Sequence, residues 1–436
     1  MFGDDGSKNL AAAHARALLQ MFGLQAALPA PADHPALAWR RAGLMAVTGR
    51  AAGPGLVAPV ALTAAADGAL AALRALSPQA LLPENGALLL GERARALGLV
   101  RGGRVSANGG CRLLDTADGR IALNLPRADD WALLPALLGA PVLDWTALAR
   151  LVARRPGAAL LAQGRLLGLA IAPDQVPPPP PAPFIVEQHA APGLQPGPPL
   201  VVDLSALWAG PLAGALLAAA GARVIKVEST RRPDGARHGA AAFYDLLNAG
   251  KASVTLDFTD AADVWLLHRL VAAADIVIEA SRPRALAALG IDAVAQARRG
   301  ASWVSITAHG RTGDAAHWAG FGDDAAVAGG LAAAMRRGWG EAMFAGDAIA
   351  DPLTGITAGF AAWASWRAGG GRLVALAMSE VTAHGCGLYQ AAPDELRRWQ
   401  AMAEADDQPL YRLRAARHAA PPPGADTARI RAAFSV

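Results

Sequence analysis

After residue 199 the chain alternates short apolar runs with stretches long enough for helices. PLVVDLS (199–205), ARVIKVES (222–229), ASVTLDF (252–258), DIVIEA (275–280) and SWVSITA (302–308) are each rich in Val, Leu or Ile and read as buried strands. Residues 211–220 and about 260–273 between them read as helices, with Pro211 in a first turn where its missing N–H is not needed. Strand, helix, strand at this spacing predicts a parallel sheet covered by helices. Ligands of such sheets lie beyond the carboxyl ends of the strands, where helix N-termini offer free N–H groups.

The first part of the chain has a different pattern. Helical stretches fall at about 8–26, 62–77 and 130–139, and CRLLDTADGRIALNL (111–125) reads as two strands around a turn at Ala117-Asp118-Gly119. Five consecutive prolines in QVPPPPPAPF (175–184), followed by PGLQPGPPL (192–200), favour stiff extended backbone and predict a linker over 175–199. The expected organisation is therefore 1–174, linker, and 200–436. In fold class this is α/β: a Rossmann-like parallel-sheet domain plus a smaller α+β domain. A faint repeat relates LTAAADGALAAL (62–73) to LTGITAGFAAWA (353–364), each with Gly five residues after the Thr.

Composition narrows the functional classes. With 436 residues, 53% of them hydrophobic, the chain can bury large cores. Of its 40 cationic residues only Lys8, Lys226 and Lys251 are lysine, and no basic run carries interleaved aromatics, so no nucleic-acid partner is expected. Cys111 and Cys386 have neither the spacing nor the histidine neighbours of a zinc site, so no metal is expected, and a reducing compartment fits. The most apolar run, 207–222, is broken by Gly and Pro and is shorter than the roughly 20 residues of a membrane span. With an acidic, polar start in place of a leader, these features predict a soluble, cytoplasmic protein.

From residue 200 onward the chain resembles the family III CoA-transferases, the CaiB/BaiF group. The resemblance runs in order through VVDLSALWAGPLAGALLAAAGARVIKVES, FYDLLNAGKASVTLDF, ADIVIEASRPRALAALGI, SWVSITAHGRTG, FGDDAAVAGGL, GDAIADPLTG, LVALAMSEV and APPPGADTARI. SANGGCRLLDTADGRIALNLPRADDWALLPALLGA (106–140) resembles the family's small domain, which ordinarily follows the LTG helix. Here it comes first, so the expected arrangement is a circular permutation with a short overlap. The resemblance implies an enzyme that moves CoA from an acyl-CoA to a carboxylic acid through an enzyme carboxylate, as a homodimer. Two alternatives accompany it: a racemase or isomerase acting beside the thioester, and a CoA-binding scaffold without catalysis.

The same resemblance assigns residues. Lys226, Arg231, Arg232, Arg237, Lys251, Arg282 and Arg284 stand where the family binds CoA, and arginine forks suit phosphate oxygens. The transferase acid is expected about twelve residues before Asp351, where this chain has Trp339, so Glu341 is a displaced candidate. Asp347 falls on the acid of the racemase "GDF" motif. Phe321 stands where those enzymes carry a His, leaving His309 as a spatial substitute. Asp323 and Asp324 match the family's "GYD" acid or cap a helix, and Asp351 reads as a helix-start residue. Trp208 stands at a substrate-facing position, where an indole favours an apolar acyl group.

Overall fold

A computed structural model describes residues 9–30, 32–193 and 196–434. Position 8 of the first expected helix and positions 194–195 of the expected linker lie outside the described residues.

Seven strands build the main sheet: β4 (Ile185–Gln188), β5 (Leu200–Leu204), β6 (Arg223–Ser229), β7 (Ala252–Leu256), β8 (Ile276–Glu279), β9 (Ser302–Thr307) and β10 (Arg372–Ala377). Their spatial order is β4-β10-β9-β8-β5-β6-β7, parallel throughout except for β4, which pairs antiparallel with β10. After β4 at one edge, the parallel strands start at β5 in the interior, wind outward to β7, then return to β8 and wind the other way to β10. The direction of winding therefore reverses between β5 and β8, where open α/β sheets bind their ligands. Edge strand β4 lies inside the segment that composition marks as linker: its four residues follow the proline run and close the sheet on one side.

The smaller sheet is antiparallel, with β1 (Cys111–Asp115), β2 (Arg120–Asn124) and β3 (Ala170–Pro173) in that order. Its inward face holds Leu114, Ile121, Leu123 and Ile171 against Leu134, Leu148 and Val152 of the helices between β2 and β3. Both crossings into this small unit are fixed to one stretch of the larger one. Phe344 N–H donates to Gly103 O at 2.9 Å, and Arg336 Nη1 meets Asp174 Oδ2 at 2.6 Å.

Helices before residue 98 share the main core. Leu18, Trp39, Leu70, Leu73 and Leu90 belong to one buried cluster with Leu212, Ile276, Val304, Phe360 and Trp399. The faint repeat has a structural counterpart here. Gly68 of helix Leu62–Leu76 lets helix Leu10–Gln20 approach, since an added Cβ would stand 2.6 Å from Ala11 O. Gly359 of helix Ala350–Arg367 faces helix Ala209–Ala219, where an added Cβ would make ordinary contact with Leu216 at 3.4 Å. The two helix pairs then pack against each other and complete the core. Among the described residues, no helix is long and apolar enough to cross a membrane.

Candidate active site

Three parts of the chain meet beyond the carboxyl ends of β5, β8 and β9. Helix Gly322–Ala328 begins with Asp323 and Asp324, and the turn before helix Ala350–Arg367 carries Asp347, with Asp351 in that helix's first turn. Asp323, Asp324 and Asp347 are buried, with Asp351 beside them. Burying this many carboxylates together is costly unless each is paired or protonated.

The pairing comes from elsewhere in the chain. Arg93, on helix Gly86–Leu97, donates from Nε to Asp347 Oδ2 at 2.7 Å and from Nη2 to Oδ1 at 2.6 Å. Thr48 Oγ accepts from Gly346 N–H at 3.1 Å. From the small unit, Asn108 Nδ2 donates to Asp323 Oδ2 at 2.8 Å and Asn124 Nδ2 to Asp324 Oδ1 at 3.0 Å. Asp323 Oδ1 in turn accepts from Ala348 N–H at 2.9 Å and so holds the turn that presents Asp347. Asp324 Oδ1 also accepts from Phe321 N–H at 2.9 Å, which is helix capping as well as site building.

Arg93 is the cation whose charge reaches Asp347, Asp351 and Asp323. Burial, followed by the charge of Asp347, pushes the Asp323 carboxyl up to about 6. Burial likewise lifts Asp324 and Asp351 to about 7. Asp324 and Asp351 therefore titrate close to neutral pH beside the hydrogen-bonded Asp347–Arg93 pair. Desolvation is the dominant cause, and neighbouring charge comes after it.

Strained backbone flanks the same place. Leu207 at φ 69° and Ala348 at φ 41° are the non-glycine residues with positive φ among the described residues, and they adjoin Trp208 and Asp347. Such strain persists only where the surroundings enforce it, and it collects at functional sites. Trp208 is buried edge-to-face against Phe243, and the Arg93 guanidinium lies 4.2 Å over its ring.

His309, in the loop after β9, faces Asp324, with Nε2 3.8 Å from Oδ2; neither atom has a hydrogen-bond partner. Burial, helped by the charge of Arg165, holds the imidazole down to about 4, so it is neutral. Gly320 lies against this pair. An added Cβ would come within 2.8 Å of Asp324 Oδ2 and 2.9 Å of His309 Nε2. Glu341 lies apart, in a surface pair with Arg50 at 2.6 Å.

The basic residues divide into two groups. Lys226 is buried against Asp234 at 2.9 Å and donates to Ser205 O. Lys251 donates to Asp203 Oδ2, Pro211 O and Asn248 Oδ1. Arg237 forks onto Glu228 beside Tyr244. These three hold core carboxylates. Arg231 is exposed beside Asp257, Arg232 and Arg284 are exposed, and Arg282 stands at the end of β8. No group of His, Cys, Asp and Glu side chains among the described residues is arranged to hold a metal ion.

Arg93, Asn108 and Asn124 were not singled out in the sequence. GALLLGERARAL with Gly98 at its end has the makings of a capped helix, which would have placed Arg93 on a structured element.

Residues 200–413 match the model of CoA-transferase family III. A succinate–glutarate CoA-transferase of Agrobacterium fabrum is 34% identical over 171 residues, 36% of this chain and 43% of that protein. A succinyl-CoA–D-citramalate CoA-transferase of Chloroflexus aurantiacus is 34% identical over 142 residues, 30% of this chain and 35% of that one. The chain thus spans less than half the length of these relatives. A crystal structure of a CaiB/BaiF family protein from Brucella suis aligns with 29% identity and TM-score 0.37, over 42% of this chain and 53% of that one.

Proposed function

This chain belongs to CoA-transferase family III through residues 200–413, and on that premise we propose that it transfers coenzyme A from an acyl-CoA to a carboxylic acid, with Asp347 as the nucleophile. The observation that carries the reading is the position of Asp347: buried, held by two hydrogen bonds from Arg93, and next to the strained backbone of Ala348. One oxygen must leave Arg93 to attack the thioester carbonyl. The C–S bond then breaks, CoA departs as the thiolate, and an acyl–aspartyl anhydride remains. The thiolate attacks the aspartyl carbonyl, releases the first acid and leaves an aspartyl thioester. An acceptor carboxylate repeats these steps in reverse.

His309 faces Asp324, so the alternative of proton removal beside the thioester gives Asp347 no partner. The named relatives make small dicarboxylic acids the first acceptors to try. Incubation with succinyl-CoA, quenching with hydroxylamine and peptide mapping should place a hydroxamate on Asp347 and none in the Asp347→Asn chain. A label on Glu341 or Asp324, or no label with any thioester, would overturn the assignment.

A further inference from the structure

We propose that Arg165 of the small unit joins Arg282 of the sheet unit in one receptor for an oxyanion of the substrate, with Arg127 at its edge. A cavity of about 160 Å³ opens at the ends of β8 and β9, and Ser281, Arg282, Thr307, Trp318, Gly320 and Phe321 give it its character. The remaining walls are mostly alanine, so a few polar groups face an otherwise apolar lining.

The small unit borders this lining. Arg165 stacks its guanidinium 3.6 Å over the Trp318 ring, and Arg127 lies 5.8 Å from Phe321. Gly168 lies so close that an added Cβ would stand 3.7 Å from Arg282 Nη2. Other arginines have acids: Arg93 has Asp347, Arg127 has Asp130, Arg237 has Glu228 and Arg414 has Glu92. Arg165 and Arg282 have no carboxylate partner among the described residues, and Arg165 Nε and Ser281 Oγ are buried without a hydrogen bond. Burial lowers the pKa of Arg282, and the like charges of Arg284, Arg127 and Arg232 lower it further. Cations gathered around unpartnered donors fit an anion, and two guanidinium forks match a carboxylate or a phosphate. The cavity is close to the roughly 150 Å³ that holds benzene, so the group attached to the anion is small.

The ligands to test follow from the proposed transfer: the acid's carboxylate, or a phosphate of CoA. Calorimetric titration of the full chain with succinate, CoA and 3′-dephospho-CoA distinguishes them. Arg165→Gln should weaken at least one ligand by about tenfold, Arg165→Lys by somewhat less because it keeps the charge but loses the fork and the stacking, and the remote Arg298→Gln not at all. A loss confined to succinate names the carboxylate, and one seen with CoA but not dephospho-CoA names the 3′-phosphate. Melting curves identify any variant that fails to fold. Arg165→Gln affinities within about twofold of wild type for all three ligands would overturn the receptor. If Asp347 still forms its adduct in that case, transfer stands and only the receptor falls. Weakened binding with no adduct in the wild-type chain would do the reverse.

Discussion

Arg93 and Asp347 lie 254 positions apart and share two hydrogen bonds, while the same guanidinium covers the ring of Trp208. Removing one partner of a buried pair costs about 3–5 kcal/mol because the other charge is stranded. Since the Arg93 side chain is 21% exposed and Asp347 fully buried, Arg93→Met should cost about 3 kcal/mol, at the lower end of that range, by urea unfolding. Adding Asp347→Asn should recover about half of the loss by removing the stranded charge. A single-variant cost below about 0.5 kcal/mol would mean that the pair stabilises nothing.

The acid cluster makes stability depend on pH in an unusual sense. Asp351 has a folded value of about 7 against an ordinary 3.8, so the folded chain binds a proton that the unfolded chain releases in between. Its stabilising share is complete below the unfolded value and is lost as pH rises through about 7. Relative to Asp351→Asn, the native chain should gain stability as pH falls from about 8 to 5. Parallel pH profiles of the two chains would refute this.

Gly320→Ala tests the closeness of the site. The new methyl would meet Ala308 Cβ at 2.6 Å as well as the Asp324 and His309 atoms beneath it. Overpacking of this kind costs about 1–3 kcal/mol, so the melting temperature should fall by several degrees. An unchanged melting temperature would show that the loop yields freely.

Lys251 separates a core ion from a phosphate ligand. It is buried against Asp203, and burial brings its pKa down to about 8. Lys251→Met should cost about 3 kcal/mol by stranding Asp203, while the affinity of the folded chain for CoA stays within about twofold. A large loss of affinity at unchanged stability would return Lys251 to the binding surface.

Much of the fold could be read from the sequence because strands β5 to β9 are apolar runs whose length and spacing permit little else. β4 could not, because an edge strand needs only one partner and its four residues alternate no apolar face. The candidate acids Asp323, Asp324 and Asp347 do come together, since short stretches of chain carry them. Arg93, Asn108 and Asn124 are brought to them only by tertiary packing, and neither local spacing nor periodicity encodes such a meeting. Lys226 and Lys251 were expected at CoA because the family resemblance puts its CoA-binding lysines at these positions. Asp234 and Asp203, across a turn or a neighbouring strand, hold them instead.

The two crossings into the small unit, at Gly103 and Asp174, are both anchored on residues 336–344. Between these crossings Cys111, Leu113, Ala122 and Ala172 pack against Val327, Ala332 and Phe344, so the small unit is seated on the helix that carries Asp323 and Asp324. The small unit also carries Asn124 at Asp324 and Arg165 over the cavity. If it turns as one piece, it cannot move the arginine without also moving the asparagine. The carboxylate cluster and the cavity mouth would then have a common mechanical degree of freedom, and whatever settles on one would be felt at the other.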